Sequence, residues 1–262
     1  MTMQEQEIIQ MKNIHYEINR KRILQDVSLF VEKNRFVGVV GPNGSGKTTL
    51  LKHLYRAIVP QKKSVFINGR ALEDIDQKDL ARQLSIMRQE NSADLSFTVL
   101  EMTLMGRAPY RRSYEPFHSS DFELALRNLH FVGMADKAEQ EFDSLSGGEK
   151  QRVLIARSMT QETEVMVLDE PTNHLDVYYQ LFVFQVLKNL KKTVIAVVHD
   201  LNLAAQHCDL VYVMNHGRIA AFGDPREVLT EDLLRKVFRL NVEVIEIGQR
   251  NKYFIYKNIS DI

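Results

Sequence analysis

Short apolar runs separated by polar turns dominate the first part of the chain and predict β-strands. The segment from Ile8 to Ile18 alternates roughly in period two, and Val27 to Val31 predicts a second strand. The run from Phe36 to Val40 is apolar throughout, which is typical of a fully buried strand. Further strands are predicted at 64–67 and 85–89, with a short helix at 79–84 between them. Strands that alternate with helices in this way indicate an α/β fold.

The middle of the chain, from Ser92 to about Asp143, has a different pattern. Strand-type runs stop and helix-type spacing takes over, beginning with a short candidate helix from Val99 to Met105. Ser120 to Glu123 has the spacing of a capping box and predicts the start of a second helix. Between them, residues 107–112 are basic and broken by a proline, which favours a solvated turn. We interpret this segment as a helical insertion in an α/β domain.

Buried strands return after the insertion. Residues 164–170 form an apolar run that ends in two carboxylates, and residues 193–198 form another that ends at His199. Near the end, Val242 to Ile247 and Lys252 to Tyr256 flank a polar turn and predict a hairpin, to which the sequence assigns no function.

Composition narrows the functional classes. The chain has 262 residues and 44% hydrophobic content, enough for one large domain or two small ones. Lys+Arg and Asp+Glu both number 34, so no nucleic-acid partner is expected. The polar, acidic N-terminus is wrong for a signal peptide, and no apolar run approaches the roughly 20 residues of a membrane helix. Cys208 is the single cysteine, which favours a reducing compartment, and any membrane role is expected to depend on a partner.

The stretch from Gly41 to Thr48 has the spacing G-x-x-x-x-G-K-[ST] between a predicted strand and a predicted helix. Such glycines turn backbone N–H groups toward a polyphosphate, and the helix N-terminus adds positive dipole. Lys47 is expected to reach the β- and γ-phosphates, and the Thr48 hydroxyl to ligate Mg²⁺. The chain is therefore predicted to bind a nucleoside triphosphate. The predicted contacts from this loop are Gly41, Pro42, Asn43, Gly44, Ser45, Gly46, Lys47, Thr48 and Thr49.

A second anion-type motif spans Leu145 to Arg152. Ser146 and Glu149 have capping-box spacing, and the glycines at 147 and 148 open a helix whose exposed amides suit an anion. A good helix cap alone would explain the same pattern. Two phosphate-type sites in one chain, however, suggest that two copies share one nucleotide.

Polar residues at strand ends supply the remaining chemistry. Asp169 has the position of the aspartate that holds Mg²⁺ in P-loop proteins, and Glu170 is placed to orient or deprotonate a water. His199 follows another buried strand and is a candidate contact of the γ-phosphate. Tyr16 lies in the first strand, where both base stacking and ordinary packing stay open.

In this order the motifs resemble those of the ATP-binding subunits of ABC transporters, from Tyr16 to about Val244. The Leu-Ser-Gly-Gly-Glu stretch at 145–149 separates that family from kinases and GTPases. The resembling segments are Gly41 to Thr48, Gln89, Leu145 to Glu149, Val165 to Glu170, Asn173 to Asp176 and His199.

This resemblance implies an α/β P-loop ATPase (RecA-like) core with an antiparallel β portion and a helical subdomain. It also implies a homodimer that sandwiches two ATP molecules with Mg²⁺, in which Ser146, Gly147 and Gly148 of one copy complete the site around Lys47 of the other. The implied catalytic residues are Glu170, His199, Gln89 and Lys47, and the implied metal ligands are Thr48, Gln89 and Asp169. Tyr16 would stack on adenine, and Asp176 would lie in the segment that crosses the dimer interface.

A narrower resemblance points to the importer branch that serves iron-siderophore, haem and vitamin B12 uptake, and is carried by residues 105–110, 173–176, 199–204, 217–225 and 228–230. It implies membrane permease partners, an indirect link to a substrate-binding protein, and a place at the cytoplasmic face of the membrane. The alternative is an ABC-type ATPase of a soluble assembly, for iron–sulfur cluster biogenesis or DNA repair. A small-molecule kinase is disfavoured by residues 145–149.

We expect one ABC ATPase domain with a core at 1–91 and 144–240, a helical subdomain at 92–143 and a C-terminal hairpin at 241–262. The permease is expected to dock on the helical subdomain and the segment after Gln89. For two of the proposed docking residues, Leu95 and Met102, a place in a small core is an equal alternative. The proposed docking residues are Leu95, Phe97, Met102, Met105 and Tyr110.

Overall fold

The computed structural model describes residues 7–87, 97–112, 115–173, 175–247 and 251–257. Two compact units make up the chain, one of Met1–Ile75 with Leu187–Ile262 and the other of Asp76–Val186. Leu95 and Gln89, for which the sequence predicts functional roles, lie outside the described residues. The sequence-based domain boundaries stay a prediction.

Helices and strands follow each other along the chain in the following order. The first part contains β1 Glu7–Ile18, β2 Lys21–Glu32, β3 Phe36–Val40, α1 Lys47–Leu54, β4 Val65–Ile67 and β5 Arg70–Ala71. The middle contains α2 Gln77–Gln83, β6 Leu84–Met87, α3 Val99–Leu104, α4 Ser119–Phe131, α5 Gly147–Thr160, β7 Val165–Leu168 and α6 Val177–Asn189. The last part contains β8 Thr193–Val197, α7 Leu201–His207, β9 Leu210–Asn215, β10 Arg218–Gly223, α8 Pro225–Val228, α9 Glu231–Phe238, β11 Val242–Ile247 and β12 Asn251–Tyr256.

The first unit contains an antiparallel sheet in the order β2-β1-β4-β5. Its inner face is apolar because Ile9, Ile14 and Val27 are fully buried, as the alternating pattern predicts. Strands β1 and β2 pair so that Tyr16 lies opposite Leu24. This register decides which side chains reach the phosphate loop.

Strand β3 lies between β8 and β9 in the same unit and runs parallel to both, with β10 antiparallel on the outer side of β9. All five of its residues are buried, as expected for a strand with neighbours on both edges. Gly38 leaves room for Cys208, because a Cβ at Gly38 would lie 2.8 Å from the Cys208 Sγ. The phosphate loop therefore starts from a tightly packed strand end.

Helices α3, α4 and α5 build most of the second unit around a buried ion pair. Arg107 Nε donates to Asp121 Oδ1 at 2.9 Å, and Arg107 Nη1 donates to Glu162 Oε2 at 3.0 Å. The side chains of Arg107 and Asp121 are 15% and 9% exposed, so these two charges need each other, whereas Glu162 is 53% exposed. The helical character predicted for this part of the chain is confirmed in α3 and α4.

Two local predictions in this unit are wrong. Helix α4 begins at Ser119, and the Asp121 carboxylate, rather than Glu123, accepts from the backbone N–H of His118. Residues Met105–Tyr110 form a 3₁₀ helix instead of a solvated turn. Asp121 takes part in both features, because it caps the start of α4 and accepts a hydrogen bond from Arg107 of the 3₁₀ segment.

The C-terminal segment forms the predicted antiparallel hairpin, with Val244 opposite Phe254. Phe254 is 3% exposed and anchors it in the first unit. Among the described residues, no helix combines the length and the apolar character needed to cross a bilayer.

Candidate nucleotide site

The loop after β3 is organised around the ammonium group of Lys47. This side chain is 6% exposed, and its Nζ donates to the carbonyl oxygens of Gly41 at 2.8 Å and Pro42 at 3.0 Å. A buried ammonium group without such acceptors would be costly. The charge is thus already held at the base of the loop, where the sequence predicts phosphate binding.

Gly46 is required by both its backbone conformation and its surroundings. Its φ of 104° is rarely adopted by other residues, and it is the N-cap of α1. A Cβ there would lie 2.8 Å from Leu24 Cδ2 and 3.0 Å from the carbonyl oxygen of Ile23. The loop consequently packs directly against β2.

The loop also offers features that fit a phosphate group. Ser45 is 3% exposed, and its buried hydroxyl has no hydrogen-bond partner among the described residues. Buried polar atoms normally have partners, so an orphan hydroxyl at this position is consistent with a ligand site. The space around Gly44 is open, because a Cβ there would meet no atom within 4 Å. Helix α1 starts at Lys47 and directs its positive N-terminus to the same region.

Tyr16 lies beside this loop in the first unit. It is half-buried and lines a cavity of about 560 Å³ together with Arg22 and Leu24. Its ring makes an edge contact with His53 of α1, with ring centroids 5.1 Å apart. His53 is fixed in turn, because its Nδ1 lies 2.8 Å from the carbonyl oxygen of Thr49. Burial lowers the pKa of His53, so the imidazole below Tyr16 is neutral near pH 7.

The two predicted acids of the second unit lie just after β7. The Asp169 N–H donates to the Met87 carbonyl at 2.9 Å, at the end of the neighbouring parallel strand β6. Glu170 has a φ of 56°, an uncommon conformation for a residue with a side chain. Such conformations persist only where the surroundings enforce them.

Two amide side chains hold Glu170 in this conformation. Gln151 Nε2 donates to the Glu170 carbonyl at 3.1 Å, and the Asn173 amide donates to the Glu170 carboxylate. Gln151 belongs to α5, the helix that starts with the predicted anion motif. The backbone of Glu170 is therefore tied to that helix within one unit.

The predicted capping box at the start of α5 is confirmed. Ser146 Oγ accepts from the Glu149 N–H at 3.4 Å, and Glu149 Oε2 accepts from the Ser146 N–H at 3.0 Å. Lys137 and Ser146 together lower the pKa of Glu149 to about 2, so the carboxylate is charged at neutral pH. Ser146 and Gly147 are exposed and Gly148 is half-buried, so this helix end faces outward.

The remaining predicted site residues are exposed, half-buried or outside the described residues. His199 is exposed directly after β8, and Thr48 is half-buried in α1. Asp176 is exposed, and its carboxylate accepts from the Tyr179 N–H at 3.0 Å, which caps α6. Gln89 is predicted to be a catalytic residue and metal ligand, and it lies outside the described residues.

Comparisons with known proteins place these features in one family. The family model described as "ABC transporter" matches residues 24–173. The iron(3+)-hydroxamate import ATP-binding protein of Bacillus subtilis (strain 168) is 34% identical over 249 residues, which cover 92% of this chain and 93% of that protein.

Solved structures agree with this family at the level of the fold. A chain of an inward-facing metal-chelate type ABC transporter superposes with a TM-score of 0.83 at 25% identity, covering 98% of this chain and all of that one. A dimeric ATP-binding cassette bound to ADP and phosphate gives a TM-score of 0.72 at 27% identity, covering 83% of this chain and 99% of that one.

The chain belongs to the ABC transporter family. Its fold is that of an ABC ATPase, as the sequence predicts, and it is an ATP-binding ATPase of that family.

Three residues around the site are missed by the sequence reasoning. His53, which supports Tyr16, looks like an ordinary polar residue of a helix, and Gln151 looks like a solvated one. For Asn173 the sequence indicates only that it belongs to the motif from Asn173 to Asp176. The sequence indicates that Gln151 lies in a helix and Asn173 in a loop. It does not show that both donate hydrogen bonds to Glu170, because these bonds depend on the tertiary fold.

We expect Tyr16→Ala to weaken ATP binding by about 1–3 kcal/mol, the usual range for loss of one base–aromatic stack. GTP binding should weaken similarly, because stacking tolerates any base. Titration calorimetry with both nucleotides measures the two affinities.

Tyr16→Phe is the matched control, since it keeps the ring against His53 and should bind both nucleotides like the parent chain. Unchanged affinities in Tyr16→Ala would assign Tyr16 to packing between β1 and α1 alone.

Proposed function

We propose that the chain is the ATP-hydrolysing subunit of an ABC importer for an iron-siderophore, haem or cobalamin-type substrate. The observation that supports this most is the likeness to an iron-hydroxamate import protein along 92% of the chain. The cassette would convert ATP binding and hydrolysis into closing and opening of a dimer, which drives a membrane permease.

Residues of the first unit would bind the phosphates and the base of the nucleotide. The backbone of the loop from Gly41 to Thr48 would surround the phosphates, and Lys47 would exchange its carbonyl partners for phosphate oxygens. Tyr16 would stack on the base. Thr48, Gln89 and Asp169 would hold Mg²⁺, which neutralises phosphate charge when bound. The orphan hydroxyl of Ser45 and the open space at Gly44 support the assignment of this loop to phosphate binding.

Hydrolysis would depend on the acid after β7. Glu170 would orient the attacking water and accept its proton, and its carboxylate is held by the Asn173 amide. His199 would contact the γ-phosphate. Each residue then acts on a different part of the reaction, so their substitution should give different kinetic defects.

Two copies of the chain would share each ATP. The outward-facing helix end at Ser146 and Gly147 is suited to meet a γ-phosphate held by another copy, because exposed amides at a helix N-terminus attract anions. Asp176, also exposed, would lie in the same interface. This arrangement would give a homodimer with two composite sites.

The permease would hold this subunit at the cytoplasmic face of the membrane, with the substrate-binding protein linked only indirectly. Of the proposed docking residues, Met102 is 8% exposed and packs in the helical unit, so the core alternative holds for it. Tyr110 is 37% exposed, and Phe97 and Met105 are half-buried. The docking surface would therefore centre on Tyr110.

Replacing the acid should separate binding from turnover. Glu170→Gln is expected to retain ATP binding, lose nearly all hydrolysis and accumulate as an ATP-bound dimer in size-exclusion chromatography. Lys47→Ala is the contrasting variant, because it should weaken nucleotide binding itself. Hydrolysis by Glu170→Gln near the parental rate would remove Glu170 from its assigned role.

Shared sites can be tested by mixing two inactive variants. Ser146→Arg should bind ATP as a folded monomer but not hydrolyse it, because a bulky cation blocks closure. Mixed with Lys47→Ala chains, it should regain part of the activity, since the heterodimer keeps one intact composite site. If the parent chain forms no ATP-dependent dimer, the shared-site model is wrong.

Docking is tested by a charge at the exposed ring. Tyr110→Glu should abolish co-purification with the permease in mild detergent, while ATP affinity and melting temperature stay close to parental values. Phe131→Glu is the matched control, because Phe131 is another exposed aromatic residue of the same unit, at 44%. Normal permease capture by Tyr110→Glu would place the docking surface elsewhere.

A further inference from the structure

The C-terminal hairpin is attached to α7 through one asparagine. Asn202 Oδ1 accepts from the Phe254 N–H at 2.7 Å, and Asn202 Nδ2 donates to the Phe254 carbonyl at 3.2 Å. The side-chain amide thereby bonds to β12 as the backbone of another strand would. Since edge strands carry unpaired backbone groups, this contact closes the edge of β12 at a defined position.

Other bonds hold the hairpin in the same unit. Val244 N–H of β11 donates to Glu231 Oε1 of α9 at 3.3 Å, and Lys252 Nζ donates to the Arg226 carbonyl at 2.8 Å. Lys252 is only 8% exposed. The hairpin is thus anchored on both edges, and β12 presents a fixed surface to α7.

This surface lies next to the turn that carries His199. Asn202 is the third residue after His199, and Asp200 caps α7 by accepting from the Leu203 N–H at 2.9 Å. Burial and, to a smaller extent, the Asp200 carboxylate raise the pKa of the hydroxyl group of Tyr256 in β12. Strand β12 contacts the first turn of α7 through the Asn202–Phe254 pair.

We propose that the hairpin clamps the start of α7 and that Asn202 is a positioning residue for His199. His199 is exposed between β8 and α7, three residues before Asn202, so a displacement of the first turn of α7 would also displace the backbone of His199. The Asn202–Phe254 pair ties the first turn of α7 to a part of the chain that contacts no nucleotide in the proposed site. The inference rests on the proposed function, in which His199 contacts the γ-phosphate.

The test compares nucleotides with and without a γ-phosphate. Asn202→Ala is made in the Glu170→Gln background, where ATP binds without turnover, and the affinities for Mg²⁺-ATP and Mg²⁺-ADP are measured. We expect ATP affinity to fall about three- to tenfold, the range for loss of one or two hydrogen bonds. ADP affinity should not change, because ADP lacks the group that His199 contacts.

A double-mutant cycle distinguishes positioning from general stabilisation. His199→Ala should lower ATP affinity by itself, and Asn202→Ala should add little in that background, because both changes remove the same interaction. Gln206→Ala is the matched control, since it removes an amide side chain from α7 one turn further along. It should leave both affinities at parental values. If Asn202→Ala proves unstable, Asn202→Asp replaces it, because this variant keeps an acceptor for the Phe254 N–H. Its affinity for ATP should fall below that of the parent, and its affinity for ADP should not change.

The outcomes separate this inference from the proposed function. An equal loss of ADP affinity, or full additivity with His199→Ala, would overturn the clamp and leave the role of His199 intact. If His199→Ala alone leaves the preference for ATP unchanged, the assignment of His199 fails and the clamp fails with it.

Discussion

The nucleotide site depends on a buried positive charge that the chain satisfies from within. Lys47 lies below the surface and binds two carbonyl groups of its own loop, so the loop is folded around the charge before any phosphate arrives. A desolvated ammonium group with only partial compensation interacts strongly with an anion. The close contact of Gly46 with Leu24 fixes the loop against β2, and the register of β1 and β2 then places Tyr16 nearby. The proposed positions of base and phosphates would thus be linked through one pair of strands.

The second unit achieves a comparable preorganisation by a different device. Its acid is held in an uncommon backbone conformation, and the bond from Gln151 connects that backbone to the helix that opens with the anion motif. A displacement of α5 would therefore reach Glu170 without any intervening loop. In the second unit polar side chains hold the uncommon backbone conformation of Glu170, whereas in the first unit a glycine adopts such a conformation at Gly46.

Sequence patterns identified most of the fold because the information was local. The buried strand β3, the phosphate loop and the capping box at Ser146 are each defined by residues within a few positions of one another. The ion pair between Arg107 and Asp121 joins residues 14 positions apart, so the contact that brings the segment 105–110 to the start of α4 is not visible in the local pattern. The contact of Tyr16 with His53 likewise depends on strand register and helix orientation, which spacing alone does not specify.

The packing of Gly38 against Cys208 has a practical consequence for spectroscopy. Burial raises the pKa of the Cys208 thiol, and reactivity toward maleimides requires the thiolate and access to it. Since this is the sole cysteine, the native chain should be almost inert to such reagents. Single cysteines introduced on the surface would then carry fluorophores or spin labels selectively. Distances between two copies could be followed during nucleotide turnover without first replacing a residue of the core.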